Sequence, residues 1–534
     1  VFKGRNPEFK SIAFWAGPSY KAAMPVRAAL LVVMALFASR ANAGVPIVPT
    51  YRFNGWLHVS GTNLYDSSNH PVRLLSVNQS GAEYGAGFPY VNATNPAQFG
   101  GYQFPSYVEY THLSNWGFNS IRLLISWANM ETNPPAATNR TVIHSYNSDY
   151  LTLVDNTISN FASHNLSVIL SLHQHSFSPV FTNSDNAGHG LGMPVWLYYD
   201  TTNNGYFSLG GYPLSDSDSS RLVAEKYFFG EPPTSHPTGI YPVICSNCPS
   251  PSASSLGFTN SGYNVQDGYI DAWTFLAARY SNNPAVIGAD LFNEPPSDKN
   301  LHLSNFYALL SSNICAANSN LLLICQDSGS QSTNLVGLLN TRTSPPAVSN
   351  LVYSIHIYVG QWSNAANSVS GSFVTNYGAY AFLTNYQAPS LRWNVPFWVG
   401  EFDEFDTNGT FNTTDMGLMM QYCRANGIGW SYFAYDNARK PLINNSIIST
   451  NLIELLQTGF DSPLNELSIR QEGSQVLLTW PVPGQGPDYL LQWSSRLNPA
   501  VWSDVPSATT ISNFENWISI DATNQAGFFR LWQQ

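Results

Sequence analysis

Between residues 72 and 458 the chain repeats one pattern: a short run that is apolar almost throughout, then a longer stretch with apolar residues at helical spacing. A strand with one wet face alternates apolar and polar positions. A run lacking the polar positions predicts a strand buried on both faces, as in a parallel sheet covered by helices. Eight such runs occur, at 72–78, 120–126, 166–173, 285–294, 321–327, 351–358, 396–401 and 427–434. The stretches 269–280, 303–317 and 414–426 between them are amphipathic. Eight strand–helix units of this kind predict an α/β fold, a (β/α)8 TIM barrel. A doubly wound open sheet is the alternative, but no Gly-rich phosphate loop follows the first run.

In such a barrel the residues at the C-terminal strand ends converge on one site. The fourth run closes on Glu294, within Leu291-Phe292-Asn293-Glu294-Pro295, and the seventh on Glu401, within Phe397-Trp398-Val399-Gly400-Glu401-Phe402. Only 10% of the chain is charged, so a carboxylate closing a buried strand needs a reason. Two carboxylates facing one cleft are what cleavage of a glycosidic bond requires, one as acid and one as nucleophile or base. Other strand ends contribute Arg122, His173, Asn293, His356 and Tyr358. A lone histidine there reads as a satisfied core group; residues from five strands in register read as a site. Asp403, Glu404 and Asp406 are alternative nucleophiles just past the seventh run, where loop or subsite roles suit them better. Asp327, closing the fifth run, is either a substrate ligand or a helix cap.

The connection from His175 to Asn264 is too long for a simple loop, and its Trp196, Tyr198 and Tyr199 are candidate sugar platforms. Ahead of the first run, 56–64 and 71–75 flank a turn at 66–69 and predict a hairpin closing the barrel floor. Past Asp461-Ser462-Pro463 the helical period disappears. Alternating runs at 475–480, 489–494, 517–521 and 528–532 predict a small β-sandwich at 462–534, which resembles accessory modules of secreted bacterial hydrolases. Trp493 and Trp502 could give it a carbohydrate-binding face, with a structural role as the alternative. At the other end, Arg27, the apolar run 28–38 and Ala41-Asn42-Ala43 match a signal peptide cleaved near Ala43, with Met24 as a start. The expected organisation is therefore residues 1–43 as upstream and signal segment, 44–461 as catalytic barrel and 462–534 as accessory domain, in a secreted, monomeric protein.

Net charge of −11 without a basic run in the mature region argues against a nucleic-acid partner, and no apolar stretch is long enough to span a membrane. Cys245 and Cys248 form a lone Cys-x-x-Cys, which fits a local disulfide better than zinc. Cys315, Cys325 and Cys423 fit buried thiols, with a 315–325 bridge as an alternative. No metal-ligand spacing or cofactor motif is present, although His173 and His175 could contribute to a metal-dependent hydrolase.

The order Arg122, His173, Asn293-Glu294, His356-x-Tyr358, Glu401 resembles the catalytic pattern of glycoside hydrolase family 5. The segment Val72-Arg73-Leu74-Leu75-Ser76-Val77-Asn78 with Ser80-Gly81 is similar to that family's first strand. The resemblance spans residues 50–458. It implies that Glu294 is the general acid/base and Glu401 the nucleophile of a retaining β-glycosidase, with no cofactor. Arg122 and Tyr358 would then donate to Glu401, and Asn293 to the sugar 2-hydroxyl. Retention predicts carboxyl groups ~5–5.5 Å apart, and an acid whose pKa is raised by its surroundings. The family's aromatic platform on strand eight falls on Phe433, with Trp430 three residues earlier. His173-Gln174-His175 with Gly188-His189-Gly190 and Pro194-Val195-Trp196 resembles the endoglycoceramidase-like branch, which usually has aspartate where His175 stands. A cellulase-like action on a β-linked glucan is the leading expectation. A β-mannan or a glycosphingolipid is the alternative substrate, and a non-catalytic carbohydrate-binding barrel is the alternative from another class.

Overall fold

The computed structural model of the protein describes residues 53–84, 104–105, 107–175, 177–179, 191–197, 199–200, 205–206, 228–229, 243–250, 262–295, 303–327, 339, 342–357, 378–403, 413–435, 441–444 and 447–460. In the C-terminal region it describes 468–472, 475–481, 489–495, 501–505, 510–512, 515–521 and 528–533. Eight strands, Leu75–Gln79 (β1), Ser120–Ile125 (β2), Ser167–Leu172 (β3), Val286–Asp290 (β4), Leu322–Gln326 (β5), Leu351–Ile357 (β6), Phe397–Phe402 (β7) and Gly429–Tyr432 (β8), close into a barrel in sequence order. Every pairing is parallel, including β8 back onto β1. Apart from half-buried Ser167, every strand residue is buried, which is why the runs carry almost no polar alternation.

The helices Tyr107–Asn115 (α1), Ser148–Ser163 (α2), Val265–Arg279 (α3), Leu303–Ala317 (α4), Gly378–Trp393 (α5), Thr413–Ala425 (α6) and Thr450–Gln457 (α7) lie between or after the strands. Local chemistry sets their starts. Asn147 caps α2 through the amides of Asp149 and Tyr150, and Asn264 with Asp267 forms a reciprocal capping box on α3.

The barrel floor explains why β1 starts later than the apolar pattern suggests. Pro71–Val72 pairs with Asn63–Tyr65, itself paired with His58–Ser60, so the run from 72 is split between a three-stranded antiparallel sheet and the barrel. Phe53, Leu57, Leu64 and Val72 meet Leu74, Ile169, Ile287, Leu322, Val352 and Trp398 in one apolar cluster. This plug closes one end of the barrel and leaves the C-terminal strand ends as the open one.

The long connection after β3 has structure of its own. His175 bridges to Leu191, and Val243–Pro249 pairs with Gly262–Asn264. Phe228 and Phe229 are fully buried against Phe292 and Phe306. Trp196 is no sugar platform: it is buried, edge-on to Trp127, and its Nε1 donates to the Glu131 carbonyl at 2.7 Å. Tyr198 lies outside the described residues. Cys248 is in a disulfide, so its sulfur is not a zinc ligand, whereas Cys315, Cys325 and Cys423 are free thiols and the 315–325 bridge does not form.

The chain divides into two compact units, one carrying the barrel and one taking in residues 458–534. In the latter, Ser468–Glu472, Gln475–Pro481, Glu515–Asp521 and Thr510–Ser512 form a four-stranded antiparallel sheet. Ser503–Asp504, Tyr489–Ser494 and Phe528–Gln533 form a three-stranded one. Leu478, Ile518 and Leu491 pack between the two sheets. Trp493 is 40% exposed, and the Arg530 guanidinium lies 4.4 Å from the ring centroid of Trp502.

One close approach locks β8 in place. A Cβ on Gly429 would lie 2.9 Å from the Leu74 carbonyl oxygen and 3.0 Å from Trp398, so β8 can pass the floor cluster only as glycine. Gly429→Ala should therefore destabilise the barrel by about 1–3 kcal/mol, read as a lower urea midpoint.

Candidate active site

A buried arginine organises the open end of the barrel. Arg122, on β2, has no exposed surface, and each guanidinium nitrogen finds a side-chain acceptor. Nε donates to Asp290 Oδ2 at 2.8 Å and Nη1 to Asn78 Oδ1 at 2.8 Å, with Nη1 also bonding Glu401 Oε1. Nη2 donates to Asp290 Oδ2 at 2.5 Å, to Asn293 Oδ1 at 2.7 Å and to Ser171 Oγ at 3.1 Å. One cation thereby ties β1, β3, β4 and β7 to β2. Burial works against its charge, but Asp290 and then Glu401 outweigh it and hold the guanidinium above its usual range.

Glu401 sits one residue before the end of β7, its side chain only 4% exposed. Arg122 takes Oε1, and His356 Nδ1 lies 3.3 Å from Oε2. Gly400 makes the second contact feasible. A Cβ there would stand 3.0 Å from His356 Nε2 and 3.0 Å from Ser354 Oγ, so the imidazole lies flat against β7 only because residue 400 has no side chain.

Glu294 is reached differently. The apolar run predicts a strand through to Glu294, yet β4 stops at Asp290, four residues earlier. Leu291–Glu294 turn across the barrel mouth, and Glu294 has φ +46°, the left-handed region that costs a side-chain-bearing residue ~1–2 kcal/mol. Neighbouring groups hold the turn in place. Tyr269 Oη and Trp273 Nε1 donate to the Leu291 carbonyl at 2.9 and 3.1 Å. Gln174 Nε2 donates to the Asn293 carbonyl at 2.7 Å, Asn293 Nδ2 returns a bond to the Gln174 carbonyl at 2.8 Å, and Glu294 N donates to Gln326 Oε1 at 2.8 Å. The carboxylate so placed accepts from His356 Nδ1 at 3.0 Å.

One ring nitrogen thus stands between the two carboxylates, and Glu294, His356 and Glu401 present one donor atom each within 4.8 Å of one another. A divalent ion could bridge such a spacing, but the Arg122 charge already occupies Glu401 Oε1 and would repel it. The expectation of a raised pKa for Glu294 is not met. Burial pushes the carboxyl up, but the His356 hydrogen bond and charge, then His175 and Arg122, pull it below its ordinary value.

His173 is buried with Nδ1 4.0 Å from Glu401 Oε1. Trp430 does not belong to the site: it is fully buried, edge-on to Phe118 and Phe402, on the side of β8 turned away from Arg122. Phe433, just past β8, is part-exposed. Tyr358, Glu404 and Asp406 lie outside the described residues, and Asp403 is buried. Asp327 is structural, accepting from Leu339 N at 2.7 Å and Tyr353 Oη at 2.8 Å. Sequence reasoning missed Asn78, Asp290, Gln174 and Gln326. Asp290 carried a usable signal, a charge inside an apolar run; the two glutamines carried none.

His173 generates a signed prediction. Burial, then the charges of Arg122, His175 and His356, hold its pKa well below 6.5. As pH falls below 6.5 the unfolded chain takes up a proton that folded His173 refuses, so stability drops until the folded pKa is reached. His173→Gln should flatten urea-derived stability in that window by up to about 1.4 kcal/mol per pH unit. An unchanged slope would contradict the neutral imidazole.

The family model for cellulase (glycosyl hydrolase family 5) matches residues 84–208 and 247–439, more than half of the chain. The fold is similar to endo-glycoceramidase II from Rhodococcus sp. in its ganglioside GM3 complex, at 16% identity and TM-score 0.52 over 89% of this chain and 100% of that one. The same enzyme in its five-membered iminocyclitol complex matches at 15% identity and TM-score 0.51, over 91% and 100%. An endogalactoceramidase matches at 17% and 0.52, over 90% and 100%. The match of the family model across the barrel that carries Arg122, Glu294 and Glu401 places this chain in glycoside hydrolase family 5.

Proposed function

We propose that this glycoside hydrolase acts by double displacement with retention, Glu401 as nucleophile and Glu294 as acid/base. The observation that carries this reading is the narrow gap between unequal carboxylates. Their facing oxygens lie within 4.8 Å of each other, which suits direct attack and leaves too little room for a water between carboxylate and sugar. Glu401 is the nucleophile because Arg122 neutralises it without protonating it. Glu294 is the acid because its Oε1 lies 3.0 Å from His356 Nδ1, within reach of a proton the two groups can share.

The lowered pKa of Glu294 fits that role once the proton is assigned to the pair. The contact of 3.0 Å between His356 Nδ1 and Glu294 Oε1 holds the proton that Glu294 delivers to the leaving oxygen. In the second half-reaction the same carboxylate takes a proton from water. Asn293, oriented by Arg122 and Gln174, keeps a second Nδ2 hydrogen that a sugar 2-hydroxyl would accept.

The substrate we assign is a β-linked glucan, in keeping with the cellulase family model. A second reading, a glycosphingolipid, is favoured by the extent of the structural likeness. Endo-glycoceramidase II is matched over its whole length by 91% of this chain, which is more than the barrel region alone can supply. The N-terminal segment and the Cys248 disulfide support secretion, and residues 462–534 are assigned as an accessory module.

Glu294→Gln and Glu401→Gln should each lower reducing-sugar release by several orders of magnitude while the circular dichroism spectrum stays unchanged. Wild-type-like turnover in either would sink the assignment. Carboxymethylcellulose, lichenan, mannan and a glycosphingolipid assayed side by side decide the substrate, and exclusive cleavage of the lipid would replace the glucan reading.

A further inference from the structure

We infer that Asp290 is a positioning residue that keeps Arg122 charge-compensated when Glu401 gives up its charge to the sugar; the inference rests on the double-displacement reading. In the resting site the guanidinium faces two carboxylates, Glu401 on Nη1 and Asp290 on Nε and Nη2. Asp290 is 1% exposed. Its Oδ2 accepts from Arg122 and, at 3.3 Å, from Ser171, while Oδ1 is buried with no hydrogen-bond partner among the described residues. A buried carboxylate left half-satisfied is costly unless its charge is needed.

Attack forms the bond between a Glu401 oxygen and the anomeric carbon and breaks the bond from that carbon to the leaving oxygen, which takes its proton from Glu294. Glu401 is then a neutral ester. Without Asp290, Arg122 would be a buried cation lacking an anion, in a site that has just stabilised a positively charged, oxocarbenium-like transition state. With Asp290, the pair stays neutral throughout, and Glu401 in the resting enzyme keeps enough negative potential to attack.

Among the described residues, the charged and titratable groups facing Glu401 are Arg122 from β2, His173 beyond β3, Glu294 beyond β4 and His356 from β6. Those around Asp290 are Arg122, and Tyr269, Tyr307 and Cys325, whose ionisation it opposes. Asp290 is therefore the only additional anion bound to the guanidinium among the described residues.

Asp290→Asn isolates the charge, since the amide oxygen can still accept from Nε and Nη2. The acid limb of kcat/KM reports the macroscopic ionisation of the interacting carboxylates around Arg122 and His356. Removing a neighbouring anion should move that limb to lower pH by about one unit while kcat/KM at its plateau falls roughly tenfold or more. A limb that moves upward means Arg122 has merely come loose from Glu401, and overturns the proposal, as does an unmoved limb. A second measurement does not depend on that variant folding. Glu401→Gln imitates the neutral ester and should melt within a few degrees of wild type, because Asp290 still balances Arg122; collapse of its fold overturns the proposal. Where Asp290→Asn folds, it should lower the melting temperature more in the Glu401→Gln background than alone, and equal losses overturn the proposal. Labelling of wild-type Glu401 by a 2-deoxy-2-fluoro glycoside tests double displacement separately, so its failure is distinguishable from failure of the Asp290 inference.

Discussion

The contact on which the site depends is the buried guanidinium of Arg122. Moving an isolated cation out of water costs more than a small domain's whole stability margin, so the surrounding strands must supply anions and carbonyl dipoles. The barrel does so from four strands at once: Asn78 on β1, Ser171 on β3, Asp290 on β4 and Glu401 on β7. Each partner is fixed by the parallel register, because a one-residue slip would turn its side chain to the opposite face. Packing and the site are thus one constraint, because the bonds that tie Arg122 to Glu401 and Asp290 also lock the strand order.

The acid side is built on the opposite principle. Glu401 stands on a strand, whereas Glu294 stands on a turn in the left-handed region, held by Gln174, Gln326, Tyr269 and Trp273. Strain stored at a reacting residue persists only where neighbours over-determine it. Here those neighbours include the long connection after β3, whose Phe228 and Phe229 pack on Phe292 two residues before Glu294. The insertion is therefore part of the acid's support.

What the sequence disclosed follows from this division. The barrel was legible because burial on both faces removes polar alternation from every strand, and Arg122, His173, His356 and Glu401 were legible because they close or interrupt those runs. The end of β4 was not, since Leu291 and Phe292 are as apolar as the strand before them and the chain is turned there by hydrogen bonds from α3, Gln174 and Gln326. Trp430 was assigned to the wrong face. The usable mark was Ser431 beside it, whose hydroxyl accepts from Asn78 and so faces the site, while the ring of Trp430 packs on Phe118 and Phe402.

The lowered pKa of Glu294 sharpens the account of catalysis rather than opposing it. A carboxylate coupled to His356 at 3.0 Å can hold or release the proton as the charge on Glu401 changes 3.3 Å away on the same ring nitrogen. In the double displacement proposed above, esterified Glu401 would leave Glu294 as the one carboxylate on His356 among the described residues, which would favour the ionised form needed to activate water. The shared imidazole therefore passes the charge state of one carboxylate to the other, and Gly400 is the residue whose missing side chain allows it.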